Sequence, residues 1–405
     1  MQTEPRRLQV LFFTNLYPTP VEPSFAVFNA QLARELKEIC DLTLVCPLPW
    51  FPRLPVLKRF SRWYAFAEVP REYELGGMTV YSPKYLMLPR VSGAVQGVLV
   101  FLGSLLTVWR LHRKKRFDII NSLWLYPDAV AAGWMAKLFG IPTVPTALGC
   151  DVNRMLNESE KRGQILAMLK RAPGVIVVSE ALRESLVSAG IPPAKIATVQ
   201  NGVNGELFFE RNRLNERAAL GLPNDRQIIL FVGRLSEEKG LHTLIEAVAS
   251  LRRKRSNFLL VLVGDGPLLS QLESDVKGSG LVEHVRFAGR QHHHAVANWL
   301  GACDVFCLPS LREGCPNVVI EALSSGRPVV ASRVGGIPAM VRESTGILVE
   351  PQDVQGFSDA LEMALSRSWN EAHIAASMKG NSWRATAEQY LTAYRNAVSF
   401  SQKTP

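Results

Sequence analysis

The sequence predicts an α/β protein made of two Rossmann-like domains, each with a parallel sheet. Three observations carry that prediction. Apolar runs of strand length recur along the chain, separated by longer stretches of helical periodicity. The regular alternation implies parallel strands covered by helices on both faces. After residues 197–203 (ATVQNGV) the whole pattern restarts, with no visible repeat in the sequence itself.

The elements follow in order. Residues 9–14 (QVLFFT) read as the first buried strand. A Pro-rich loop spans residues 17–23, and a helix follows over about 25–38. Residues 41–46 form the next strand, and later candidates are 117–121, 143–147 and 174–178. In the second half the strands are 228–232, 258–263, 285–287, 304–308 and 328–331, with a last helix over 381–397. The domains are therefore placed at 1–203 and 204–380.

The chain of 405 residues is 47% hydrophobic and 20% charged, which excludes a disordered protein. Six cysteines are scattered with no C-x-x-C pair, and no signal peptide is visible at the N-terminus, so a cytoplasmic protein with reduced thiols is expected. Residues 1–200 carry 24 Lys and Arg against 15 Asp and Glu, so +9 of the net +10 lies there. That half should face something acidic. No nucleic-acid-binding signature is present, so no nucleic-acid partner is expected. Residues 50–64 interleave Trp, Phe and Tyr with cations, the composition of an anionic membrane surface contact, or else a solvated loop with core anchors. Residues 91–109 are charge-free and flanked by basic residues. Polar residues dilute the run and a strand pattern resumes after it, so it reads as a domain helix, packed or resting on a membrane, rather than a spanning one.

Two motifs carry chemistry. Glu313 and Glu321 stand eight positions apart, with Gly314, Cys315, Pro316, Asn317 and Val318 between them. An apolar strand precedes Glu313, which places it in a strand-to-helix loop, and Glu321 about one turn into the helix. That is the edge of an α/β sheet where ligands bind. Two surface charges flanking a loop are the bland alternative. Upstream, an apolar strand runs into Gly233 and Arg234, and Lys239 and Gly240 precede a helical pattern. A guanidinium fork, an ammonium and a helix N-terminus suit phosphate oxygens; two solvated loop cations are the alternative. No Asp-x-Asp occurs, so no diphosphate-bound metal is expected. His292, His293 and His294 read as exposed, because adjacent helical positions point apart.

Together these motifs resemble the family 4 retaining glycosyltransferases, with E-x7-E and G-R-x-x-x-x-K-G both complete. Similarity runs position by position over residues 308–349 and covers nearly the whole chain more loosely. It is nearest to bacterial exopolysaccharide and teichuronic-acid-type sugar transferases. The resemblance implies the GT-B fold, with two Rossmann-like domains facing across a cleft and the last helix returning to the first domain. It implies a nucleotide diphosphate sugar as donor and no cofactor. Arg234 and Lys239 would clamp the diphosphate, Glu313 the sugar and Glu321 the ribose. The backbone of residues 314–318 and Gly233 would complete the donor pocket.

The first domain matches less closely. Ser24, Phe25 and Ala26 stand where many members carry Gly-Gly, in the loop that begins at Asn15. Tyr126 and Asp128 lie in a loop resembling H-x-x-x-x-x-P-D and either reach acceptor hydroxyls or, for Asp128, cap the next helix. Asp151 is retained in a T-x-H-G-x-D-like motif, either lining the site or capping a helix, while Leu148 replaces the frequent His. The reading implied is a cytoplasmic hexosyltransferase on the inner face of the plasma membrane. It would serve a lipid-linked or saccharide acceptor in cell-surface polysaccharide synthesis. A non-catalytic homologue that scaffolds polysaccharide assembly is the rival. A glycoside hydrolase using Glu313 and Glu321 leaves the Arg/Lys pair unexplained.

Overall fold

A computed structural model describes residues 6–50, 61–87 and 93–403. The chain divides into two compact units, residues 1–200 with 383–405, and residues 201–382.

The first unit is built on an eight-stranded sheet. In chain order its strands and those of a small two-stranded companion are β1 (Gln9–Phe13), β2 (Asp41–Val45), β3 (Leu48–Trp50), β4 (Glu72–Leu75), β5 (Met78–Tyr81), β6 (Lys84–Leu86), β7 (Ile119–Leu123), β8 (Thr143–Ala147), β9 (Val175–Val177) and β10 (Ile196–Thr198). The main sheet runs β10-β9-β8-β7-β1-β2-β5-β4, and β3 pairs β6. All pairs are parallel except β4 with β5, which the two-residue Gly76-Gly77 turn joins as a hairpin. The apolar strands in the middle are buried on both faces, as the predicted pattern requires. Phe12 and Val10 point into one core layer, Leu11 and Phe13 into the other.

The second unit holds β11 (Gln227–Val232), β12 (Phe258–Val263), β13 (Val285–Gly289), β14 (Val305–Leu308), β15 (Val329–Ser332) and β16 (Gly346–Val349). Their order is β13-β12-β11-β14-β15-β16, all parallel. That is the doubly wound arrangement, and its chain direction reverses between β11 and β14. The first unit has the same reversal between β1 and β7. Loops on either side of such a point diverge, so a crevice opens at the carboxyl ends of the two strands.

Every strand predicted from sequence is present. The β3–β6 pair, the β4–β5 hairpin, β10 and β16 were not predicted. These are short, and the hairpin alternates exposed and buried residues, so it lacks the continuous apolar run that marks the central strands. The predicted last helix is Trp383–Lys403. It packs on the Val27–Ile39 helix, and Trp383, Tyr390, Leu391 and Tyr394 join the core of the first unit.

Tyr394 is fully buried and its hydroxyl has no hydrogen-bond partner among the described residues. Its ring stabilises and its hydroxyl costs free energy. Tyr394→Ala should therefore destabilise by about 3–5 kcal/mol, whereas Tyr394→Phe should be neutral or stabilising. Urea unfolding of the two variants checks the contrast, and a large loss in Tyr394→Phe would mean that the hydroxyl has a partner.

Candidate functional site

The reversal in the second unit places both sequence motifs together. From the end of β11 the chain passes Gly233 and Arg234. It makes one 3-10 turn over Glu237–Lys239 and enters the Leu241–Arg252 helix. From β14 it passes Ser310 and Glu313 and enters the Asn317–Ser324 helix. The two loops touch directly. Lys239 Nζ donates to Glu313 Oε1 at 2.6 Å, and Ser310 Oγ donates to the same oxygen at 2.6 Å. Leu311 N–H binds the Glu238 carbonyl at 2.8 Å.

Two glycines make this closeness feasible. Gly240 has φ +64, and a Cβ there would lie 2.0 Å from the Pro309 carbonyl oxygen. Gly335 has φ +55, and its Cβ would lie 2.2 Å from the Glu313 carbonyl oxygen. Any side chain at either position would push the Glu313 loop away. Gly336 N–H completes the hold by binding the Gly314 carbonyl at 2.8 Å.

The Lys239 and Glu313 side chains are 21% and 10% exposed, so water screens them only in part. Arg234 is exposed and forms no ion pair among the described residues. Cys315 and Pro316 are buried, and burial pushes the Cys315 thiol up to about 12, which leaves it unreactive. Asn317 begins the helix and its Oδ1 accepts from Asn201 Nδ2 at 2.7 Å. Val318 follows, half-buried, in the first turn, whose N–H groups have no intrahelical acceptor. Glu321 lies one turn further on and is nearly buried.

One expectation is corrected here. His292 and His294 are exposed, but His293 is not the free residue that its position in a His triplet predicts. It starts the His293–Ala302 helix, its Nε2 lies 2.7 Å from Glu321 Oε1, and its ring lies 5.2 Å from that of Phe208. Helical spacing does send the three side chains in different directions, and one of those directions is the site. Ser310 and Asn201 were missed as well. The S-x-x-E spacing from Ser310 to Glu313 was the available signal for the first; the second lies in the Asn-Gly-Val stretch at 201–203, which reads from sequence only as a boundary between domains.

The four first-unit candidates lie in the loops after β1, β7 and β8. Asn15 N–H donates to Asp128 Oδ2 at 2.7 Å. Asn15 Oδ1 and Asp128 Oδ1 are both buried without a partner. Asp128 does not cap the following helix, which has no side-chain cap. Asp151 is fully buried and accepts from the N–H groups of Leu125 at 3.0 Å, Leu148 at 3.1 Å and Gly149 at 2.7 Å. The Tyr126 hydroxyl lies 2.8 Å from the carbonyls of Gly93 and Ala94. The Tyr126, Asp128 and Asp151 side chains thus each bind backbone groups, those of neighbouring segments included. Leu148 packs against the core. Ala26 takes φ +50, a left-handed conformation that suits glycine better, in the loop where the resemblance leads one to expect Gly-Gly. Among the residues of the 50–64 stretch, 51–60 and the side chains of 61–64 lie outside the description.

Burial raises the Asp128 carboxyl well above the ordinary carboxylate range, against the opposing pull of the Asn15 N–H. The folded state then binds its proton more tightly than the unfolded state does. Its contribution to stability is full below the unfolded value of about 3.9 and is lost as pH rises through the folded value. Asp128→Asn keeps the shape and has no proton to lose. The stability of the native protein relative to this variant should fall from pH 4 toward neutrality, as read by urea unfolding across pH. A flat difference would mean that Asp128 stays ionised throughout.

Comparison with known proteins bears on both units. The family model described as Glycosyltransferase Family 4 matches residues 26–207, and that described as Glycosyl transferases group 1 matches residues 212–379. The chain is 32% identical over 360 residues to a Bacillus subtilis protein named as a teichuronic acid biosynthesis glycosyltransferase, TuaC, covering 87% of this chain and 88% of that one. Among solved structures, sucrose-phosphate synthase from Thermosynechococcus elongatus superposes with a TM-score of 0.74 at 22% identity, over 96% and 98% of the two chains. Anabaena HepE in complex with UDP-glucose gives 0.65 at 19% identity, over 98% and 100%. These structural likenesses show the fold, which is GT-B.

Proposed function

This chain belongs to the family 4 glycosyltransferases, and from that premise we propose a retaining, metal-independent hexosyltransferase. It takes a hexose-type sugar from a nucleotide diphosphate donor to a lipid-linked or saccharide acceptor, in cell-surface polysaccharide synthesis at the inner face of the plasma membrane. The observation that carries the reading is the Lys239–Glu313–Ser310 cluster at the reversal between β11 and β14, with Arg234 on the same loop and the His293–Glu321 pair one helical turn beyond. HepE, bound to UDP-glucose, and TuaC, by its name, support the donor class and the polysaccharide setting.

The chemistry assigned to each residue follows from charge. Departure of a nucleoside diphosphate leaves negative charge on its outer phosphate. Arg234 and Lys239 sit where fixed cations stabilise that charge as it develops. An ammonium has three donors, so Lys239 can hold Glu313 and a phosphate oxygen together. Glu313, oriented by Lys239 and Ser310, faces the sugar ring as it gains positive character. Glu321, oriented by His293, takes the ribose hydroxyls. Gly233 and the backbone of residues 314–318 line the donor. The acceptor's proton passes to the leaving phosphate on the same face, which retains configuration. In the first unit, Asn15, Tyr126, Asp128 and Asp151 shape the acceptor loops rather than contacting the acceptor.

The second reading is a non-catalytic scaffold. Leu148, packed into the core where many relatives carry His, favours it. Donor binding without turnover would establish it.

Three outcomes test the assignment. Lys239→Ala or Arg234→Ala should cost roughly 2–4 kcal/mol of transition-state stabilisation; native kinetics in both would remove the clamp. Glu321→Gln should mainly raise KM and weaken the free nucleotide, since charge-assisted bonds to ribose are worth about 1.5–3 kcal/mol each. Glu313→Gln should instead lower kcat while leaving the sugar-free nucleotide bound. Calorimetric titration beside steady-state kinetics separates the two carboxylates. Transfer should also persist in excess chelator; recovery only on adding Mg²⁺ or Mn²⁺ would overturn the metal-free mechanism.

A further inference from the structure

The proposed sugar transfer uses no residue of the face that three helices make on the first unit. The Gln96–Lys115 helix buries Gly97, Val100, Ser104, Val108 and Leu111 on one side. Its other side exposes Val95 (50%), Val98, Leu102 (61%), Leu106 (55%) and Trp109, a stripe at helical spacing. The stripe ends at Arg110, Arg113 and Lys114, all exposed, and the Arg113 guanidinium lies 4.9 Å over the Trp109 ring. Neither this helix nor its neighbour Val130–Phe139 contains an acidic residue. Among the described residues, no helix is long and apolar enough to cross a membrane.

Beside the stripe is a groove of about 880 Å³ between the Val130–Phe139 and Ser159–Arg171 helices. Trp134, Ile141, Ala167 and Met168 form its walls, and Lys137 and Arg171 are the charged residues among its lining. Both cations are exposed, and neither forms an ion pair among the described residues. Trp134 joins stripe and groove, since its ring meets Phe101 of the first helix edge-on at 5.8 Å. The groove reaches Pro142 and Thr143, at the start of β8, the opposite end of that strand from the Asp151 loop.

We propose that this groove is a lipid site. It takes one acyl chain of an anionic phospholipid, whose phosphate Lys137 and Arg171 hold, while the protein rests on an anionic bilayer through the Val95–Trp109 stripe. The volume can hold a single chain, and Trp134, Ile141, Ala167 and Met168 give it apolar contact, with Thr143, Gln164 and Ser401 the uncharged polar residues of the lining. The charge of the rim and of the stripe's end is complementary to an anionic headgroup and to nothing else the face offers. One buried chain or one basic patch alone gives marginal, reversible attachment; the two together hold a protein to a surface. The inference rests on the proposed membrane setting and not on the sugar chemistry.

The test uses the full-length protein with phosphatidylcholine vesicles, with and without phosphatidylglycerol, the latter also with brominated chains. The protein should sediment with phosphatidylglycerol vesicles and be released by salt. The Trp134 emission, taken as the difference between native protein and Trp134→Phe, should lose most of its intensity to brominated chains. Lys137→Gln with Arg171→Gln should lower partitioning about thirtyfold. Gly163→Phe tests the groove alone: a Cβ at Gly163 meets no atom within 4 Å, so a ring there can enter the groove without disturbing the helix. It should abolish Trp134 quenching while the stripe still binds vesicles. Three results overturn the proposal: indifference to phosphatidylglycerol, vesicle binding with Trp134 unquenched, or a dimer in solution that Leu102→Glu dissociates. Nucleotide diphosphate binding should be unchanged in all these variants, so its loss would bear on the transferase reading and not on the lipid site.

Discussion

In the second unit, β11 and β14 lie side by side and parallel, yet the chain leaves them in opposite directions across the sheet. Everything at the candidate site depends on that reversal. It opens a crevice at the carboxyl ends of two fully buried strands, and a cation from one loop meets a carboxylate from the other across it. The strands cannot shift, because their side chains are packed on both faces. The loops cannot drift apart, because Gly240 and Gly335 let the backbone itself close the contact. A charged pair with little water around it is therefore held on rigid supports, which electrostatic stabilisation of a leaving group needs.

The first unit repeats the geometry and spends it differently. Asn15 and Asp128 meet at the reversal between β1 and β7 as Lys239 and Glu313 do at the other. No cation pairs with Asp128 among the described residues. Asp128 and Asp151 are wholly buried, burial raises both carboxyls, and backbone N–H groups take their oxygens. Burial of that kind disfavours the charged form of a carboxyl. Glu313 and Glu321 remain part-exposed and each has a basic partner. The same residue type thus frames one crevice and equips the other, and the environment decides which.

This contrast also explains what the sequence could and could not convey. Buried parallel strands announce themselves as continuous apolar runs, so β1, β7, β11, β12 and β14 were legible. The β4–β5 hairpin, with one side wet, was not. The Glu and Arg/Lys motifs were legible because their loop positions follow from strand-to-helix punctuation. His293 was not, because its role depends on a partner 28 positions away. Local spacing says that adjacent helical histidines diverge; it does not say where each ends up. Tyr126, Asp128 and Asp151 were recognised by position, but their burial is a property of the folded loops that local spacing does not convey.

In the proposed donor site an unpaired charge costs far more than a paired one, because little water surrounds it. Lys239 gives the Glu313 carboxylate an ammonium partner, and His293 gives Glu321 a hydrogen-bonding one. Each carboxylate therefore has its partner before any ligand arrives. On the proposed reading, a diphosphate entering such a site meets the exposed guanidinium of Arg234 and the spare donors of Lys239 rather than a bare Glu313 carboxylate. If Glu313 faces the sugar as proposed, one ammonium shared between that carboxylate and the phosphate would link the two ends of the breaking bond. Charge growing on the phosphate would then draw the ammonium toward it and leave the carboxylate freest to face the ring when the ring is most positive.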